Sequence, residues 1–77
     1  MNYDSKVTGR IISQMRMERN LSQEVLSGLA GIARSHLAMI ETGRKNANVD
    51  TLWRIANALG VPLSQLIRQV EDAMENK

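Results

Sequence analysis

Two charged side chains stand where helical spacing leads one to expect apolar ones. Arg16 lies four residues after Ile12, on the apolar side of the first helical stretch. Glu41 lies four residues after Leu37 and next to Ile40. An unpaired buried charge is very costly. The spacing therefore predicts that the two meet in a charge-assisted hydrogen bond that ties the first helix to the third. Such a pair fixes the angle of the third helix more than it adds stability. In the competing reading both are solvated and the apolar stripe is merely wide. A second group lies between them in the chain. In LSQEVLSGLAGIARSHLAMIETG, residues 21–43, Leu26, Leu29, Ala30, Ile32, Leu37 and Ile40 are candidate core residues. Arg34, Ser35, Ala38 and Met39 fall on the other side, a mixed surface that packing alone does not require.

Little else in the chain has catalytic character. There is no nucleophile–base pair, no phosphate loop and no acid pair in a defended environment. Glu71, Asp72 and Glu75 read as a frayed C-terminal tail. One His and no Cys leave no metal constellation, and no cofactor is expected. The absence of cysteine suits a reducing cytoplasm. No apolar run approaches the roughly 20 residues needed to span a bilayer, so no membrane partner is expected. The N-terminal MNYDSK lacks a signal-peptide pattern.

The periodicity that positions these residues is helical throughout. A first helix is expected over about residues 7–20, with Val7, Ile11, Ile12 and Met15 on its apolar side. A second follows Ser22, a suitable N-cap, and ends at Gly31. A third runs over about residues 33–42 and stops at Gly43. A fourth starts near Asn48 and ends at Gly60. Pro62 suits the start of a fifth, whose stripe is Leu63, Leu66, Ile67, Val70 and Met74. Seventy-seven residues in five short helices give one compact all-α domain, residues 1–77. Net charge is +2. Residues 1–47 hold seven basic against four acidic side chains, and residues 48–77 three against four. That asymmetry permits a polyanionic partner without requiring one.

These residues resemble the phage-repressor/Cro type of helix-turn-helix domain, the XRE family, over about residues 9–68. The resemblance is carried by Gly9, Ile12, Met15-Arg16, Leu21-Ser22-Gln23-Glu24, Leu26, Ala30-Gly31-Ile32, Leu37, Ile40-Glu41, Gly43-Arg44, Leu52, Ile55-Ala56, Leu59-Gly60-Val61 and Leu66. It implies a five-helix, lambda-repressor-like DNA-binding fold. Helices 2 and 3 form the helix-turn-helix over about residues 22–42, and Arg16 and Glu41 form a buried ion pair. The chain departs from the family pattern at Ser27, Gly28, Ala33 and Ala47. Ser27-Gly28 and the missing N-cap hydroxyl at Ala33 should loosen helices 2 and 3 by about 1 kcal/mol each.

The resemblance makes helix 3 a recognition helix in the DNA major groove. Arg34, Ser35 and Met39 occupy its base-contacting positions, and His36 a position that contacts base or phosphate. Arg34 is chemically the strongest reader, because its fork matches guanine O6 and N7. Ala38 and Met39 suit a thymine methyl. Ser22, Gln23, Arg44, Lys45 and Asn46 are the implied phosphate contacts. Such contacts set affinity and register rather than sequence. Glu24 has two readings. It complements the N-terminus of helix 2 electrostatically, or it faces RNA polymerase, as acids here do in activating members.

One small domain makes few phosphate contacts, and specific recognition usually uses two half-sites. Trp53, Leu63, Ile67, Val70 and Met74 offer surplus apolar surface on helices 4 and 5. The expectation is a homodimeric regulator that binds a two-fold symmetric site in double-stranded DNA, without catalytic activity. By size it resembles the controller proteins of restriction-modification systems, which act on their own promoters. A phage-like repressor shares the fold, and so does an antitoxin. An antitoxin acting mainly as a protein-interaction module would show an apolar face that dimerisation leaves unexplained.

Overall fold

The computed structural model describes residues 2–76; the first and last residues of the expected domain lie outside them. Five helices follow in order: α1 (Ser5–Glu18), α2 (Gln23–Ala30), α3 (Arg34–Glu41), α4 (Val49–Leu59) and α5 (Leu63–Glu75). No strand occurs among the described residues. Helix α1 begins earlier than its apolar stripe suggests, because Asp4 caps it by accepting a hydrogen bond from the Lys6 amide at 2.9 Å. Its C-terminal end comes before Asn20, which adopts a left-handed conformation. Ser22 and Asn48 cap α2 and α4 through the Val25 and Thr51 amides. Ala33 makes no side-chain cap for α3.

One apolar cluster joins all five helices, with Ile12, Met15, Leu26, Leu37, Ile55 and Leu66 at its centre. Helix α1 lies against both α3 and α5, while α2 packs on α3 and α4. The approach of α1 to α3 depends on Gly9. A Cβ there would collide with the backbone carbonyls of Ile40 and Glu41. One turn earlier, the Ser5 hydroxyl donates to the Gly43 carbonyl at 3.0 Å. The N-terminal half of α1 is thereby seated on the end of α3 and the turn after it.

Three sequence expectations are corrected. Leu29 is not core but 63% exposed. Helix α2 buries the face formed by Leu26, Ser27 and Ala30, which meets α3 and α4, and Leu29 lies beside Val25 on the outer side. Ser27 fits the buried face because its hydroxyl donates to the Glu24 carbonyl. Residues 71–75 do not fray but continue α5. Val70 is only 4% exposed and belongs to the core, because α1 as well as α4 packs on α5.

Candidate nucleic-acid interface

The turn between α2 and α3 sets the geometry of the site. Gly31 takes a left-handed conformation (φ 72°), and the Ile32 amide closes the turn on the Ser27 carbonyl at 3.0 Å. This is the helix-terminating pattern for which glycine is favoured. Ile32 tucks against the core just before α3 starts. Leu37 and Ile40 then hold α3 to the core, which leaves Arg34 and Ser35 exposed at its N-terminal end. Met39 is exposed one turn on, while His36 and Ala38 are half-buried. The structure thus brings Arg34, Ser35 and Met39 to the outside of one short, anchored helix.

The implied phosphate contacts lie at the two ends of this element. Arg44, Lys45 and Asn46 are exposed in the turn after α3. The Arg44 and Lys45 amides both bond the Met39 carbonyl, which holds the basic turn against the helix end. Sequence reasoning passed over Lys6. The base of its side chain lies over Gly43, the residue before Arg44 and Lys45, because α1 is seated there. No pattern local to the chain could have revealed it. At the other end, the Ser22 hydroxyl is engaged as an N-cap. Gln23 is half-buried and donates its Nε2 to Glu41 Oε1 at 3.0 Å. Glu24 is exposed in the first turn of α2.

Arg16 and Glu41 meet beneath this surface. Arg16 Nε donates to Glu41 Oε2 at 2.8 Å, and Nη2 donates to Oε1 at 3.1 Å. Its Nη1 donates to the Leu21 carbonyl at 2.8 Å. The Glu41 side chain is 5% exposed and that of Arg16 14%. The hydrogen bond to Glu41 holds the Arg16 guanidinium above its ordinary pKa, with the carboxylate charge acting the same way and burial opposing both. The network joins α1, the loop before α2, the first residue of α2 and the last residue of α3.

The expected dimer residues separate into three environments. Trp53 is 57% exposed and lines a groove of about 330 Å³ with Asn57, Pro62, Leu63 and Ser64. Ile67 is exposed one turn beyond Leu63. Val70 belongs to the core and is withdrawn from the interface. Met74 lines a separate groove of about 300 Å³ with Tyr3, Glu71 and Glu75. Among the described residues no group of three or more His, Cys, Asp or Glu could hold a metal ion. Among the same residues no helix is long and apolar enough to cross a membrane.

A glycine-turned pair of helices, with the second held by its inner face and flanked by cations, defines a helix-turn-helix DNA-binding domain. The chain belongs to the helix-turn-helix family of the XRE type, whose model matches residues 12–66. It is similar to y4dJ, an uncharacterized HTH-type transcriptional regulator of Sinorhizobium fredii, at 33% identity over 67 residues covering 87% of each chain. The control protein C.MunI of a Mycoplasma species is 31% identical over 64 residues, covering 82% of this chain and 86% of that one. The immunity repressor protein of Bacillus phage phi105 is 41% identical over 59 residues. That match covers 77% of this chain but 41% of the repressor, so the chain spans less than half of that relative's length. Among solved structures, the restriction-modification controller protein C.AhdI from Aeromonas hydrophila matches with a TM-score of 0.80 at 29% identity. The match covers 84% of this chain and 98% of that one. The protein is a helix-turn-helix transcriptional regulator.

Proposed function

We propose that the protein is a cytoplasmic, sequence-specific regulator that binds double-stranded DNA as a homodimer and acts on its own promoter, as a restriction-modification controller would. The observation that carries this reading is the presentation of Arg34 and Ser35 at the exposed start of a short helix anchored by Leu37 and Ile40. Arg34 reads guanine through its planar fork, Ser35 and His36 add polar contacts, and Met39 meets a thymine methyl. Gln23 and the helix N-terminus at Ser22 hold one backbone segment. Arg44, Lys45 and Asn46, joined by Lys6, hold another. No step in this activity requires a cofactor or a catalytic group.

The dimer reading now rests on Trp53, Leu63 and Ile67. Trp53 and Ile67 are exposed and Leu63 between them is half-buried against the core; together they form an apolar face on α4 and α5 that a second copy would cover. Two-fold pairing would place two recognition helices about 34 Å apart, one DNA turn. The phage phi105 immunity repressor is the more identical, but matches to C.MunI and C.AhdI cover 86% and 98% of those proteins against 41% of the repressor, which supports the controller role over a phage-like repressor.

A second reading has a specific observation in its favour. Val25 and Leu29 form an exposed apolar pair one turn apart on α2. An antitoxin that masks a protein partner would use such a surface. RNA polymerase contact by an activator would also fall here, beside Glu24. Incubating the purified protein with the DNA upstream of its own gene, followed by footprinting, separates these roles. A protected two-fold symmetric site supports the controller reading. Binding no tighter than to random duplex favours the interaction module.

A further inference from the structure

The Gln23 amide is tied to the buried Glu41 carboxylate. Its nitrogen carries two hydrogens. One is given to Glu41 Oε1 at 3.0 Å. Glu41 is held by the Arg16 fork and is 5% exposed. An ionised carboxylate only accepts hydrogen bonds, so the nitrogen end of the Gln23 amide, not its oxygen, must face Glu41. Gln23 is also the first residue of α2, where backbone amides without helical partners collect. The loop that delivers it is fixed in turn, because Arg16 Nη1 holds the Leu21 carbonyl.

We propose that Glu41 is a positioning residue for DNA binding: the buried carboxylate orients the Gln23 amide so that its second N–H reaches a phosphate oxygen. The proposal rests on the reading of Gln23 as a backbone contact. The amide then bridges a carboxylate inside the protein and a phosphate outside it. A glutamine free in solution samples many rotamers and both amide orientations, and ordering it on binding weakens affinity. The carboxylate orders it beforehand. The ion pair between α1 and α3 thus acts on the DNA backbone as well as on the fold.

The probe is a short mixed-sequence DNA duplex at low salt, where binding comes almost entirely from phosphate contacts. Gln23→Met, which removes the donor and keeps the length, is measured in the wild-type protein and in the Arg16→Met/Glu41→Met background. Replacing a buried pair by apolar residues is often tolerated. In the wild type, Gln23→Met should weaken binding by roughly fivefold to tenfold. In the paired background, already weakened by a similar factor, it should change binding by less than about twofold. Equal losses in both backgrounds would overturn the positioning role and leave Gln23 as a contact. No loss in the wild type would instead overturn the contact reading, and the proposal with it.

A spectroscopic measurement stands even if the paired variant does not fold. In the wild-type protein one Gln23 side-chain amide hydrogen should exchange slowly without DNA. On addition of duplex it should stay protected while its partner hydrogen shifts. If DNA abolishes the protection, Glu41 competes with phosphate for the amide instead of positioning it, and the proposal fails.

Discussion

Arg16 and Glu41, on α1 and α3, meet through two parallel hydrogen bonds of 2.8 and 3.1 Å on the inner side of the recognition element. The same arginine holds the Leu21 carbonyl, and the same carboxylate holds Gln23. The pair therefore fixes where α3 sits relative to α1 and where α2 begins.

Breaking this pair from one side should cost more than losing any other arginine. Arg16→Met strands Glu41 and should lower stability by about 3–5 kcal/mol. Arg19 also has structural work, donating to the Leu59 carbonyl at 2.7 Å and the Met15 carbonyl at 3.0 Å. Its replacement by Met should cost about 1–2 kcal/mol, because those carbonyls can turn to water. Urea denaturation of both variants compares them, and equal midpoints would contradict a dominant role for the buried pair.

Two glycines should respond in opposite ways to alanine. Gly9→Ala places a methyl against the backbone of residues 40 and 41, which cannot swing aside like a flexible side chain. It should destabilise the fold by at least about 1–3 kcal/mol and tilt α3. Gly28 faces open space within α2, so Gly28→Ala should stabilise by up to about 1 kcal/mol through helix propensity. Thermal melts read both signs. A neutral Gly9→Ala would show that α1 and α3 do not approach so closely.

Arg34→Ala should lose about 1–3 kcal/mol of binding to the specific site, with little change on random duplex. Titrations against the footprinted site and a scrambled version give the two numbers. Equal losses would place Arg34 among the phosphate contacts. Lys6→Ala should do what Arg34→Ala does not, weakening both duplexes alike and flattening the salt dependence.

Charge on α4 and α5 separates interface from core. Trp53→Asp and Ile67→Asp, at exposed positions, should convert a dimer to a monomer and weaken operator binding while the helical signal is retained. Val70→Asp should unfold the chain, because it buries a carboxylate among apolar residues. Sedimentation with circular dichroism distinguishes these outcomes. A wild-type monomer with full operator affinity would remove the interface.

The five helices and their order were legible in the sequence because each carries its own period of apolar residues and its own punctuation. Ser22, Asn48 and the glycines after α2 and α4 act on groups within a few positions of themselves, so the local chain suffices to read them. The pairing of Arg16 with Glu41 was legible for a related reason. A charge on an apolar stripe must find a partner, and few were available. What the tertiary structure decided were relations between helices. Whether Val70 faces inward depends on how α1 crosses α5, and a stripe that fits two neighbours looks the same as one with surface to spare. The exposure of Leu29 depends on α2 turning its Ser27 side toward α3 and α4. The seating of Lys6 on Gly43 arises from the approach of α1 to α3 that Gly9 permits, and the bond from Gln23 to Glu41 from the packing of α2 on α3. These are distances between residues far apart in the chain, set by helix crossing angles. Periodicity along one helix specifies a buried face, but only packing specifies what that face meets.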